Sequence, residues 1–243
     1  FNFFLSKIFL FNSIATLFSC IFSFFISFVI DSLSKKYSSQ EILYVPLINS
    51  SSLVIWLNKS AVVPLERGLI PVGGIHCSKS LQKEIKKGDF SVSFNTNFDE
   101  VVRNCANREV TWINKTIFEQ FQILHSKGLA HSVEIKKNDE LVGGLYGLAL
   151  GAVFFAESMF SKISNTSKLA MVAMMARVNY GGFLIFDTQF PSPHLKSLGG
   201  IKVEKKNFEK MLKLAIIKQA NFNRSPKLTT WDQFLRFACE TEV

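Results

Sequence analysis

An α+β fold, with a mixed and largely antiparallel sheet flanked by helices, follows from three features of the second half of this chain. Apolar, alternating segments at 131–135, 141–146 and 153–159 follow one another across short connections, the pattern of an antiparallel meander. The stretch 165–180 then takes up helical spacing, with Leu169, Val172, Ala173 and Ala176 on the inward face. Gly181 and Gly182 stop that helix, and the apolar run 183–190 returns to strand.

The remaining elements fall into place in order. Residues 8–29 carry no charge and are rich in Phe, Ile and Leu, between Lys7 and Asp31. That run is long enough to span a bilayer and longer than the apolar part of a signal peptide. It reads as a membrane anchor or as an extension foreign to the folded protein, and a start at Phe1 reads as a fragment. A polar stretch at 31–40 follows; 42–72 is broken by Pro46, Pro64 and Pro71 into short strands and loops. Leu81 and Ile85 among lysines predict a short surface helix at 78–87. Residues 90–95 alternate as a strand, and Asn97 is placed to cap a helix through 106 with its side-chain oxygen. A helix at 116–126 carries Ile117, Phe121 and Leu124 on one face, with Gly128 past its end. Asn138 and Asp139 suit a hairpin turn at 136–140, and Asn165 or Thr166 caps the long helix. A short helical turn at 195–198 and a last clear helix at 208–218 complete the pattern. The chain thus divides into the apolar segment 1–30, a small N-terminal region 31–77, a main domain 78–220 and a tail 221–243. A meander, then a helix, then a strand matches the acyltransferase fold of N-acetyltransferase (GNAT-like) type.

A formal charge of +9 over 243 residues favours anionic partners, nucleic acid or lipid head groups. Lys79, Lys83, Lys86 and Lys87 form a basic helix face that either tracks phosphates or is merely solvated. The four cysteines show no CxxC spacing, which argues against a zinc site or a disulfide framework and fits a reducing compartment. Gly143, Gly144 and Gly147 fall inside strands rather than before a helix, so they are close-packing or bulge positions. A glycine-rich pyrophosphate turn for coenzyme A is lacking, which counts against an acetyltransferase.

Three polar residues stand out. Asp187 and Gln189, at positions i and i+2 near a strand end, are expected on one face. They either close the strand or work as a pair. Glu157 alternates with Phe155 and Met159, and a carboxylate buried unpaired there would cost several kcal/mol. It is expected to meet a basic side chain or a substrate ammonium.

The motifs TWIN (111–114), LHSKGLAHSVE (124–134), LVGGLYG (141–147), ESMF (157–160), NTSKLA (165–170), DTQF (187–190) and HLKSLGG (194–200) stand in series, preceded by RGLIP (67–71) and HCSKSL (76–81). In order and spacing this series resembles the leucyl/phenylalanyl-tRNA–protein transferase family, from about Arg67 to about Leu212. The resemblance implies a cytoplasmic, monomeric aminoacyltransferase. It would move Leu or Phe, and in some cases Met, from aminoacyl-tRNA to an N-terminal Arg or Lys, marking the acceptor for degradation. The ester is already activated, so no ATP, metal or other cofactor is implied. Asp187, Gln189 and Glu157 would be catalytic, the Asp187 carboxylate orienting the Gln189 amide in a hydrogen-bonded relay. Trp112, Phe121, Leu145, Ser158 and Met159 would bind substrate, and Lys79, Lys83, Lys86 and Lys87 the tRNA. Three positions depart from the family: Phe121 for a common tyrosine, Ala61 for a tryptophan that Trp56 could replace only through a reshaped loop, and Ala156 for a glycine. Competing readings are a non-catalytic remnant tethered to a membrane through 8–29, and an acetyltransferase of the same fold.

Overall fold

The computed structural model describes residues 65–87, 90–224 and 228–239. The apolar run 8–29, Trp56, Ala61 and the proline-broken stretch up to Pro64 lie outside the described residues. The described elements run β1 (Glu66–Ile70), α1 (Lys79–Lys87), β2 (Phe90–Phe94), α2 (Phe98–Ala106), α3 (Lys115–Ser126), β3 (Ala130–Lys137), β4 (Glu140–Leu150), β5 (Val153–Ser161), α4 (Thr166–Tyr180), β6 (Ile185–Gln189), α5 (Pro193–Ser197), β7 (Ile201–Glu204), α6 (Lys205–Ile216) and α7 (Trp231–Ala238). Seven strands among them form one sheet in the order β2-β3-β4-β5-β6-β1-β7. β5 and β6 run parallel, and the other neighbours are antiparallel. The result is a mixed α+β sheet flanked by helices.

The meander forms where alternation placed it. Lys137 pairs with Glu140 across a two-residue turn in which Asn138 (φ 50°) and Asp139 (φ 64°) are both left-handed. Asn and Asp tolerate that conformation, whose twist matches the strands it joins. Glycines of β4 allow close approach: a Cβ on Gly143 would lie 2.6 Å from the Thr166 side chain of α4. α4 is buried almost all round, from Leu169 through Ala176, because the sheet covers one side and α7 another. Asn179 Nδ2 donates to the Phe237 carbonyl of α7 at 2.8 Å.

Three features depart from the sequence pattern. Asn97 and Asn165 occupy N-cap positions without capping: Asn97 Nδ2 donates to Glu100 and Asn165 Nδ2 to Glu84 of α1. Thr166 Oγ1 likewise donates backwards, to the carbonyls of Val142 and Ile163. The stretch read as a tail contains α7, started by a capping box between Thr230 and Gln233. β1, from the stretch read as a small N-terminal region, sits inside the sheet between β6 and β7.

Successive residues on β4 look to opposite sides of the sheet. Leu145 joins the core beneath α4 with Val133, Ile135, Phe154 and Phe186. Tyr146 faces the other way, edge-on to Phe121 of α3 and Phe98 of α2 at centroid distances of 5.0 and 6.0 Å. α6 covers β1 on this second side, with Phe208 under the Arg67 guanidinium at 5.1 Å.

Candidate active site

The candidate residues gather where β5 and β6 part. Their parallel ladder pairs Val153 with Ile185, Phe154 with Phe186 and Phe155 with Asp187, and then ends. Both strands are bulged at this seam. On β5, Tyr146 pairs with Ser158 but Gly147 pairs with Ala156, so Glu157 is an extra residue with no partner position on β4. On β6, Leu69 pairs with Asp187 but Gly68 pairs with Gln189, so Thr188 is the extra residue. A bulge re-aims the side chains around it, and these two overturn both alternation arguments drawn from the sequence.

The first correction concerns Glu157. Met159 lies opposite Leu145 and Phe155 opposite Leu148. Positions 145 and 148 face opposite ways, so Phe155 and Met159 do not share a face as strict alternation requires. Glu157 is half-buried at the crossover between them.

The second concerns Asp187 and Gln189. Asp187 pairs with Leu69, which shares its face with Arg67, and the Arg67 side chain reaches it diagonally across the ladder. Arg67 Nε donates to Asp187 Oδ1 and Oδ2 at 3.0 and 3.1 Å, and Nη2 donates to Oδ2 at 2.6 Å. Both side chains are almost wholly buried, at 2% and 0% exposure. The carboxylate also accepts the Gln189 backbone N–H, at 2.8 Å. Gln189 itself is left-handed (φ 66°), which turns its side chain away from Asp187. Its amide Nε2 points across the seam to the Ala156 carbonyl at 3.4 Å. The expected bond from carboxylate to side-chain amide is therefore replaced by one through the backbone. Burial raises the Asp187 pKa, while Arg67 and the Gln189 N–H pull it back down.

Around Glu157 stand residues that sequence reasoning did not select. Tyr146 is fully buried, and its hydroxyl makes no hydrogen bond among the described residues. Burial, reinforced by the charge of Glu157, raises its pKa well above the usual value and keeps it a neutral phenol. Arg108 Nη2 clamps β5 by donating to Ser158 Oγ at 3.0 Å and to the Met159 carbonyl at 3.1 Å. Cys105 beneath it is buried, and desolvation pushes its thiol up to about 12. Arg67 had a readable signal in its place at the head of the RGLIP motif. Tyr146 had none beyond its place in LVGGLYG.

The expected apolar pocket is divided by the sheet. Leu145 belongs to the core under α4 and Met159 packs against that core, whereas Phe121 lies with Tyr146 on the opposite side. Trp112 is half-buried in the loop between α2 and α3. The four lysines of α1 are exposed while Leu81 and Ile85 are buried, as their spacing predicts. Lys86 also pairs with Asp232 of α7 at 3.8 Å, an exposed contact. A further buried carboxylate, Glu134, is taken up structurally by the hydroxyls of Ser93, Thr96 and Ser132. Among the described residues no group of three His, Cys, Asp or Glu could hold a metal ion, and no helix is long and apolar enough to cross a membrane.

Comparison with known proteins places these strands in one family. The profile of leucyl/phenylalanyl-tRNA protein transferases matches residues 69–213. A leucyl/phenylalanyl-tRNA–protein transferase from Ruegeria sp. (strain TM1040) is 43% identical over 169 residues, covering 70% of this chain and 78% of that protein. A transferase of the same name from Cereibacter sphaeroides (strain ATCC 17025 / ATH 2.4.3) is 45% identical over 161 residues, 66% of this chain and 75% of its own. One from Maricaulis maris (strain MCS10) is 42% identical over 182 residues, covering 73% and 84%.

Proposed function

The chain belongs to the leucyl/phenylalanyl-tRNA–protein transferase family, and from that premise we propose that it transfers leucine or phenylalanine from aminoacyl-tRNA to an N-terminal arginine or lysine of an acceptor protein. The observation that carries this reading is the continuity of the match from 69 to 213, which spans both bulged strands and every polar residue of the seam except Arg67.

The acceptor's α-amine nitrogen attacks the ester carbonyl carbon. A peptide bond forms, the bond to the terminal ribose oxygen breaks, and that oxygen takes a proton. An α-amine has a pKa near 8, so a usable fraction is neutral at pH 7. Positioning then supplies much of the rate, on the order of 7–11 kcal/mol where geometry is well set. Gln189 Oε1 accepts a hydrogen bond from the attacking amine, while Nε2 holds the strand edge at Ala156. Asp187 acts through the backbone: anchored by Arg67, it fixes the left-handed turn that aims the amide. Glu157, put out of register by its bulge, holds an ammonium or guanidinium of donor or acceptor. The donor's apolar side chain enters where β5 and β6 part, toward Met159 with Leu145 behind it. Trp112, with surface still exposed, stacks on the terminal base of the tRNA.

Lys79, Lys83, Lys86 and Lys87 meet backbone phosphates. The sheet is of N-acetyltransferase type, a reading supported by a parallel pair that separates after Phe155 and Asp187. The catalytic body comprises residues 66–238 and works as a cytoplasmic monomer.

Transfer of labelled phenylalanine from charged tRNA to a peptide beginning with arginine tests the function. Label in the Arg peptide, absent from a peptide beginning with alanine, is the expected result. No transfer by the folded chain overturns the reading.

A further inference from the structure

Away from the seam, two thiols meet. Cys77 lies just before α1 and Cys239 caps α7, and their sulfur atoms are 2.9 Å apart although 162 positions separate them in the chain. Both are free thiols. The backbone holds them together. Ile75 N–H donates to the Ala238 carbonyl at 3.0 Å, the Cys77 carbonyl accepts from Gln82 Nε2 at 2.9 Å, and Cys239 N–H donates to Leu235 at 3.0 Å. Neither side chain needs a new backbone path to reach the other.

We propose that Cys77 and Cys239 are a reversible modification site that a low-molecular-weight disulfide converts into an intramolecular cross-link. The two sulfurs are unequal. Cys77 is buried at 8% exposure, whereas Cys239 is half-buried. Contact with Cys239 and burial raise the Cys77 pKa, and the same contact lowers that of Cys239. The thiolate is the nucleophile in exchange, so Cys239 reacts first. Its thiolate attacks one sulfur of R–S–S–R, forming a mixed disulfide and releasing R–S⁻. With Cys239 held in the mixed disulfide, its charge no longer opposes ionisation of Cys77, which loses its proton and attacks the Cys239 sulfur, expelling the second R–S⁻. The two protons released by the cysteines end on the two small thiolates. Two thiols and one small disulfide become one protein disulfide and two small thiols, and two electrons pass from protein to reagent. The cross-link joins the entry to the lysine helix to the last described helix.

The full chain is incubated with oxidised glutathione, alkylated and digested. The expected product is a peptide pair joining 77 to 239, cleaved by dithiothreitol and lighter by two hydrogens than the sum of the two reduced peptides, with Cys105 still a free thiol. The oxidised protein melts several degrees higher than the reduced one, a shift absent from Cys239→Ser. Because Cys239→Ser keeps size and polarity at a half-buried position, its folding is checked by circular dichroism, and Cys77→Ala serves as the second variant. A stable mixed disulfide on Cys239 with Cys77 alkylated, or no reaction at either thiol, overturns the proposal.

Discussion

Strands β3, β4 and β5 run 8, 11 and 9 residues and each pairs with its sequence neighbour, while β6, β1 and β7 run 5, 5 and 4 residues and are gathered from distant segments. The first half is fastened locally. Its hairpin turn and alternating side chains each select the register, so a slip by one residue would invert every face. The second half is fastened by a buried ion pair, Arg67 on Asp187, across 120 positions of sequence. Short strands offer little apolar surface with which to choose a register, and a buried ion pair specifies one geometry instead. The candidate site lies on the line between these halves. There, each half contributes a bulged strand, with Glu157 out of register on β5 and Thr188 on β6.

Removing the fastener of the second half should have the largest effect on stability. Arg67→Ala leaves the Asp187 carboxylate buried without its partner, a loss of about 3–5 kcal/mol, read as a lower urea midpoint. Arg67→Lys keeps the charge without the two-point contact and should fall in between. If Arg67→Ala unfolds at the parent midpoint, the pair does not hold the second half.

An acid titration probes the first half. His131 on β3 is 2% exposed and stacked on Phe222 at 3.9 Å. Burial, with repulsion from His125, lowers its pKa from 6.5 to about 4. Between those values the unfolded chain binds a proton that the native protein refuses. Stability should therefore fall as pH drops from 6.5 to 4, by about 3 kcal/mol in all, and be unaffected above that window. In His131→Phe, which retains an aromatic stack, this share of the slope should vanish from denaturation curves taken at stepped pH.

At the seam, Gly147→Ala would place a Cβ 2.3 Å from the Phe155 carbonyl oxygen, and overpacking of this kind costs about 1–3 kcal/mol. A smaller cost in thermal unfolding would mean the β4–β5 bulge yields readily. The smallest effect on stability belongs to the solvated lysines. Changing Lys79, Lys83 and Lys86 to Ala should move stability by less than about 0.5 kcal/mol, yet weaken tRNA binding and flatten its salt dependence. An unchanged salt slope would remove α1 from the tRNA face.

The same contrast governs what could be read beforehand. The hairpin, the close-packed glycines of β4 and the inward Leu81 and Ile85 are properties of nearby residues, and each was legible. β7 and the place of β1 depend on distant partners, so their few residues carry no decisive pattern. α7 was legible in principle, since Thr230 and Gln233 spell a capping box. Glu157, Asp187 and Gln189 were singled out, and the structure brings them to one seam. Their orientations were misread because bulges at Glu157 and Thr188 break the two-residue period, and a bulge is set by the partner strand rather than by local sequence.

The central claim is that Gln189, turned out of the ladder and held from behind by Arg67 and Asp187, handles the attacking amine. Gln189→Gly tests it most directly. Glycine accepts the left-handed backbone without strain, so the variant removes the amide and leaves the turn. The account predicts an unfolding midpoint and tRNA affinity near those of the parent. It predicts that kcat and kcat/KM for phenylalanine transfer fall together, by about 10²–10⁴-fold. A folded Gln189→Gly protein that transfers phenylalanine at the parent rate would contradict it.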